Sequence, residues 1–165
     1  MEKTLTRISF SGIRVVIPAN QSYEQVIQAI EERVGRVDST VLEQIIESKQ
    51  PLEAVASAFV GSSTFMYLAK IDQGHILSLS GKHKKGTLYV LGNPLIGNQM
   101  HDVTTAVGLY IPFRLYAYED AEGRAFVAYD VPSSVVSQYE NEELLTLVSN
   151  FDQYLEKLAL EVTLN

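Results

Sequence analysis

The sequence has 165 residues, of which 46% are apolar and 20% charged, a size and composition typical of a single globular domain spanning residues 1–165. Cysteine is absent, which excludes disulfides, thiolate metal sites and cysteine nucleophiles. The 13 Lys and Arg residues are outnumbered by 20 Asp and Glu residues, and the resulting net charge of -7 disfavours nucleic acid as a partner.

The sequence shows no pattern of a membrane span or a signal peptide. No stretch approaches the roughly 18–20 consecutive apolar residues that a transmembrane helix needs. Residues 1–10 also lack the apolar run of a signal peptide. We therefore expect a cytoplasmic protein without a membrane partner. The basic cluster at residues 82–85 is too short to bind many phosphates, and we interpret it as a solvated loop.

Strand patterns precede the first helix. Over residues 6–17, apolar residues alternate with polar ones on both sides of a Ser-Gly interruption, which predicts two strands or one strand with a glycine bulge. Ser22 followed by Gln25 has the form of a capping box, so a helix is predicted over residues 23–34. Gly35 is expected to end that helix in a left-handed conformation.

Residues 36–60 have the pattern of a helical hairpin. Asp38 or Ser39 is expected to cap a helix that stops near Lys49, and Pro51 fits the first position of the next helix. The hairpin has the outline of a helix-turn-helix. Neither helix carries the basic residues that a DNA-recognition helix needs, so DNA binding is disfavoured.

The periodicity changes to that of a strand after the hairpin. Residues 65–71 are largely apolar at both alternating sets of positions, which predicts a central strand covered on both faces. Residues 76–80 are compatible with either a short helix or a strand. Residues 87–91 predict a further strand.

A helix start is predicted directly after that strand. Asn93 is a favourable N-cap and Pro94 a favourable first helical residue. The apolar spacing predicts that this helix continues until Gly108 closes it.

Residues 112–119 and 124–130 predict a β-hairpin, with Gly123 at the end of its turn. A three-residue loop pairs Tyr118 with Phe126, Tyr116 with Ala128 and Arg114 with Asp130. A two-residue turn instead places Arg114 opposite Tyr129, and the sequence leaves both registers open.

A long helix from Asn141 to about Val162 completes the chain. Leu145 and Leu160 fall outside its apolar stripe, which indicates either a surface for a homodimer or deeper burial within the monomer. The predicted fold class is α+β, with a small sheet of about five to six strands, helices packed on it and the helical hairpin as an elaboration near the N-terminus.

Candidate chemistry is sparse. The three histidines (His75, His83 and His101) show no spacing that places two ligands on one face, and neither a nucleophile elbow nor a phosphate-binding glycine loop is present, so no metal or cofactor is expected. The backbone amides at the helix start of Asn93 are candidates for binding an anion, although Asn93 alone accounts for a cap. Arg114 and Tyr129 are candidates for binding an anionic or aromatic ligand.

Several short motifs, in this order and spacing, resemble the domain-of-unknown-function family 302 over roughly residues 65–160. They are Tyr89-Val90-Leu91-Gly92-Asn93-Pro94-Leu95, Met100, Pro112-Phe113-Arg114-Leu115, Tyr118-Glu119-Asp120, Gly123 and Tyr129-Asp130-Val131-Pro132-Ser133-Ser134. The resemblance implies a compact α+β fold, usually dimeric, formed here by residues 64–165, with residues 1–63 adding strands, a helix and the helical hairpin. It implies no reaction. The segment after Met100 departs from closer members, which often carry a basic residue before a histidine.

The function favoured by the sequence is small-ligand binding or regulation, with Asn93, His101, Arg114 and Tyr129 as ligand-binding candidates and a second copy of the chain as a partner. One alternative is an enzyme with an acid–base site near Asn93, His101 and Arg114. The other is a module for protein–protein interaction, which would show an exposed apolar patch without a concave site.

Overall fold

The structure is a computed structural model that describes residues 5–81 and 83–164. Lys82, in the basic cluster, lies outside the described residues. The strands are β1 (Arg14–Pro18), β2 (Gly35–Arg36), β3 (Met66–Asp72), β4 (Gly86–Gly92), β5 (Phe113–Glu119) and β6 (Ala125–Asp130). The helices are α1 (Tyr23–Arg33), α2 (Ser39–Glu47), α3 (Leu52–Phe59), α4 (Gln73–Ser78), α5 (Pro94–Val103), α6 (Pro132–Val136) and α7 (Glu142–Glu161). The α+β class is confirmed.

The six strands form one mixed sheet in the order β1-β6-β5-β4-β3-β2. The pairs are antiparallel except for β2 with β3, which is parallel. One face of the sheet, the covered face, packs against α1 and α7 in the main core. Side chains on the other face, the open face, are exposed or half-buried over most of the sheet. No helix within the described ranges combines the length and hydropathy that crossing a membrane requires.

The α2–α3 hairpin covers one end of the open face. Ile45 and Phe59 pack against Met66 in a small second core. The hairpin leaves and rejoins the sheet at one point, because the backbone N–H groups of Gly35 and Gly61 both donate to the carbonyl of Phe65, at 3.0 and 2.9 Å. A Cβ on Gly35 would lie 1.6 Å from the carbonyl oxygen of Phe59, so only glycine fits this crossing.

Three predicted helix starts are confirmed, whereas Pro51 is the N-cap of α3 rather than its first helical residue. Ser22 and Gln25 form the capping box of α1, Asn93 caps α5 with Pro94 at its first position, and the Asn141 side chain accepts from the backbone N–H of Leu144 at the start of α7. Each cap satisfies a backbone donor that the helix itself leaves unpaired.

The β5–β6 hairpin has the register that a three-residue loop predicts. Tyr118 pairs with Phe126 and Tyr116 with Ala128. Asp120 in the turn accepts from the backbone N–H of Arg124 at 2.9 Å. The alternation therefore places Leu115 on the covered face and Arg114 on the open face.

The strand predicted over residues 6–10 was wrong, because residues 5–13 have no regular structure. The neighbouring strand β6 ends at Asp130, and the chain turns into α6 at Pro132. The last ladder bond runs from the N–H of Val131 to the carbonyl of Ile13, at 2.8 Å. The strand pattern upstream of Ile13 therefore has no partner strand in the described chain.

Three further predictions differ from the structure. The strand over residues 65–71 is second from the edge rather than central, and Leu68 is 51% exposed because the α2–α3 hairpin covers only the Met66 end. Gly35 lies in β2 rather than in a left-handed cap. The helix predicted to reach Gly108 ends at Val103, where the Thr104 side chain caps a separate 3-10 turn. Residues 76–80 were left open between a short helix and a strand, and residues 76–78 form the second half of α4.

Helix α7 is a core helix. Leu144, Val148, Phe151, Leu155 and Leu158 are buried against the sheet, and Leu145 packs on the same core. Leu160 is 38% exposed. Of the two leucines outside the apolar stripe, Leu145 is therefore accounted for by burial within the monomer, whereas Leu160 faces solvent.

Candidate functional site

A cavity of about 300 Å³ opens between α3 and α5 at the end of the open face. We call it the α5 cavity. Its size is at the lower end of the range for small-molecule sites, about 300–1,000 Å³. It is lined by Leu52, Met66, Leu68, Gly92, Asn93, Pro94, Gly97, Asn98, Met100, His101, Ile111, Pro112, Phe113 and Phe151.

The deep part of the α5 cavity is apolar, and its exposed polar side chains lie at the rim. Met100 and Phe151 are buried side chains of the main core, whereas Asn98 and His101 are exposed on α5. None of the lining residues given by the described chain is Asp, Glu, Lys or Arg. The lining therefore suits a hydrocarbon body better than a charged group.

The side chain of Asn93 makes hydrogen bonds through both Oδ1 and Nδ2, and these bonds hold the start of α5 in place. Its Oδ1 accepts from the backbone N–H groups of Leu95 (3.0 Å) and Ile96 (3.4 Å). Its Nδ2 donates to the carbonyl of Thr64 at 3.0 Å. Because the cap occupies amides at the helix start, the structure gives no support to an anion site there.

His101 lies in the last turn of α5, at the rim of the cavity. A Cβ on Gly108 would lie 2.9 Å from its Cε1 atom, so the imidazole packs against the bare backbone of Gly108. The ring is thereby placed beside the opening without being buried in it.

Gly97 lines the cavity from the interior of α5, and the sequence analysis did not select it. A Cβ added there would meet no heavy atom within 4 Å. Glycine inside a helix costs about 1 kcal/mol relative to alanine, and no close packing explains it here. A glycine at the centre of a predicted helix was the sequence signal for this site.

Arg114 lies on the open face in a second depression, of about 670 Å³, which we call the arginine groove. Asp130 is already paired there with Arg14, whose Nε and Nη2 donate to its two oxygens at 2.8 and 3.3 Å. The Nη2 of Arg114 is 4.0 Å from the same carboxylate. The groove is lined by Phe10, Gly12, Arg14, Val90, Leu109, Tyr110, Pro112, Phe113, Arg114, Asp130 and Val135.

Tyr129 is only 5% exposed and belongs to the main core. Burial, followed by the nearby carboxylates of Glu156 and Asp152, raises the pKa of its hydroxyl to about 12. The hydroxyl therefore stays protonated at neutral pH. Tyr129 and Arg114 both border a further depression of about 380 Å³ beside the arginine groove.

The structure thus divides the four predicted residues. Asn93 and His101 line the α5 cavity, and Arg114 borders the neighbouring arginine groove. Tyr129 lies in the main core, beside a depression whose described lining shares no residue with the α5 cavity. An acid–base site built from Asn93, His101 and Arg114 would need all three around one cavity, so this geometry gives it no support. Within residues 5–81 and 83–164, no three His, Asp or Glu side chains are grouped for a metal ion.

These features define a small α+β protein with a helix-covered sheet face and a ligand-sized apolar cavity at the end of the other face. The model of the family "Domain of unknown function DUF302" matches residues 46–162, and the chain belongs to this family. The resemblance drawn from the sequence motifs is confirmed. The match begins before residue 65, so it includes α3.

A solved structure supports the fold assignment. The chain is similar to the protein described as "Crystal structure of uncharacterized conserved protein DUF302 from Bacillus stearothermophilus", with a TM-score of 0.65 and 12% sequence identity. The similarity covers 90% of this chain and 97% of that chain. A search of curated proteins finds no match.

Proposed function

We propose that this protein binds a small molecule with an apolar body in the α5 cavity. The observation that carries the proposal is Gly97, which leaves open space in the wall of a cavity lined by Met66, Met100 and Phe151. Alanine would stabilise the helix and would clash with nothing. Gly97 therefore leaves a gap in the cavity wall that one methyl group would narrow only slightly, whereas a larger side chain would fill the space that a ligand needs.

The experiment uses N-phenyl-1-naphthylamine, a neutral dye that fluoresces in apolar surroundings, and the full chain contains no tryptophan to interfere. We expect saturable binding. Gly97→Leu fills the cavity from α5, so dye affinity should fall about tenfold or more as apolar contact area is lost. The same substitution should preserve or raise thermal stability, because leucine is a better helix former than glycine.

Gly97→Ala is the matched control. It gives a similar gain in helix propensity with only one added methyl group, so it should bind the dye nearly as well as the wild type. Unsaturable dye binding by the wild type, or equal affinity in the wild type and Gly97→Leu, would refute the proposal.

We also propose that two copies associate through the end of the open face near the β5–β6 turn. Tyr118 stacks on Tyr116 and on Phe126, with ring centroids 5.4 and 5.3 Å apart, and the three half-buried rings form an apolar patch. Charges at its rim are paired within the chain. Lys85 binds Glu119 at 3.0 Å, and Arg124 binds Asp120 at 2.7 Å.

Because the charges around the patch are already paired within the chain, a second copy of the chain is the partner that best fits the patch. A two-fold interface places the same patch against itself, and elsewhere the excess acidic charge of the chain would oppose self-association. The patch extends from Tyr116, two residues along β5 from Arg114, toward the β5–β6 turn.

Light scattering tests the dimer. We expect twice the chain mass of 18.3 kDa at micromolar concentration. Tyr118→Glu places a charge in the patch and should yield the monomer. Tyr154→Glu, at a 38% exposed position on α7, is the control and should leave the dimer intact. A monomeric wild type would refute the interface.

A further inference from the structure

The α5 cavity and the arginine groove are neighbours. Pro112 and Phe113 line both depressions. In the β4–β5 ladder Arg114 pairs with Val90, two residues before Gly92 in the wall of the α5 cavity. Two residues of a strand span about 7 Å, so the Arg114 backbone lies within one extended arginine side chain of the cavity wall.

The arginine groove carries a surplus positive charge. The two guanidinium groups of Arg14 and Arg114 face a single carboxylate, and Asp130 uses both oxygens to accept from Arg14. Arg114 is 4.0 Å from that carboxylate, beyond hydrogen-bond distance, and its side chain is 70% exposed. No other charged residue lines the groove in the described chain. A net charge of +1 in a protein of charge -7 favours a monoanion at this point.

From this juxtaposition we infer that the ligand is an amphipathic monocarboxylate, with its hydrocarbon chain in the α5 cavity and its carboxylate on Arg114. The inference rests on the proposed function, because it names the class of ligand that the α5 cavity receives. It also gives a role to Pro112, which lines both the apolar and the charged depression.

The cavity volume sets the length of the hydrocarbon chain. At about 30 Å³ for a group the size of a water molecule, about 300 Å³ holds roughly ten methylene groups. Each methylene that enters the cavity should tighten binding by up to about fourfold. Affinity should therefore rise along a series of linear carboxylates and level off near ten carbons.

The test compares decanoate with decan-1-ol as competitors of N-phenyl-1-naphthylamine. The two molecules share a hydrocarbon chain and differ in the charged head. We expect decanoate to bind about three- to tenfold more tightly than decan-1-ol, the range for a charge-assisted bond at an exposed arginine. Arg114→Met should remove this preference without weakening decan-1-ol binding, and added salt should reduce the preference in the wild type.

Two further variants test the preference for decanoate, one expected to increase it and one expected to leave it unchanged. Asp130→Asn removes the competing carboxylate and should increase the preference for decanoate. Arg124→Met makes the matched substitution at an exposed arginine in the β5–β6 turn and should leave the preference unchanged.

The outcomes separate the two proposals. If both competitors displace the dye equally in the wild type and in Arg114→Met, the head group does not reach Arg114 and the inference is wrong, while the apolar site stands. If neither competitor displaces the dye although Gly97→Leu abolishes dye binding, the site excludes this ligand class. If the dye does not bind saturably, the proposed function itself fails.

Discussion

The two faces of the sheet are built from the same strands but differ in burial and in the residues they carry. On the covered face, Tyr89, Leu91, Leu115, Ala117 and Val127 are completely buried. On the open face, the alternate positions carry Arg114, tyrosines and half-buried aliphatic residues. Burial of the covered face supplies the stability of the fold. Residues on the open face contribute less to folding, so their chemistry is free to serve binding.

The largest contrast is expected between two leucines. Leu115→Ala on the covered face should lower the free energy of unfolding by about 2–5 kcal/mol, the cost of a cavity at a buried leucine. Leu68→Ala, at a 51% exposed position of the open face, should cost less than about 1 kcal/mol. Urea denaturation measures both, and equal costs would remove the distinction between the faces.

Alkaline pH separates the tyrosines of the two faces. Below pH 10 a tyrosine is protonated in the folded and the unfolded chain. Between pH 10 and about 12 the unfolded chain loses the Tyr129 proton while the folded chain retains it, so stability falls as the pH rises. Two pKa units correspond to roughly 2–3 kcal/mol.

Urea melts between pH 9 and 12 test this effect. Tyr129→Phe should flatten part of the decline above pH 10; burial also raises the pKa of Tyr89 on the covered face, so that tyrosine contributes a decline of its own. Burial also raises the pKa of Tyr116 on the open face, and because that ring is only half-buried, Tyr116→Phe should flatten the decline less. A decline in Tyr129→Phe as steep as that of the wild type would contradict the assignment.

The smallest effect concerns Asn93, where α5 joins the sheet beside the cavity. Asn93→Ala removes the cap and the bond to the Thr64 carbonyl, and should cost about 1–2 kcal/mol. Asn93→Ser keeps an acceptor for the helix start and loses the bond to the Thr64 carbonyl, so it should cost less. If the two variants are equally destabilised in thermal melts, the cap contributes nothing measurable.

Local chemistry explains what the sequence predicts well. The capping box at Ser22, the Asn93-Pro94 start and the glycine at the end of the β5–β6 turn each act within a few residues. The covered face of the hairpin follows from alternation alone once its register is known. The same alternation places Arg114 on the open face, opposite to Leu115.

Long-range pairing explains what the sequence predicts poorly. Residues 6–10 alternate like a strand, but a strand needs a partner, and β6 ends before it reaches them. The position of residues 65–71 beside the sheet edge depends on β2, which has two residues and no strand pattern of its own.

The sequence indicated polar residues of the α5 cavity but not its apolar lining. Asn93 and His101 were selected for their polar chemistry, and both lie at its wall. Its apolar lining combines Leu52, Met66 and Phe151 from three distant elements. Only folding brings these residues together, because each one taken alone has the pattern of an ordinary core residue.

Gly35 and Gly61 share one anchor point, so the segment between them leaves the sheet and returns to it at the same place. Its two ends meet at the Phe65 carbonyl, so a change in the length of its loops adds little loop-closure entropy, provided that Ile45 and Phe59 still pack on Met66. Yet this segment supplies Leu52, one wall of the α5 cavity. Substitutions between the two glycines can therefore change the shape of the α5 cavity while leaving the main core unchanged.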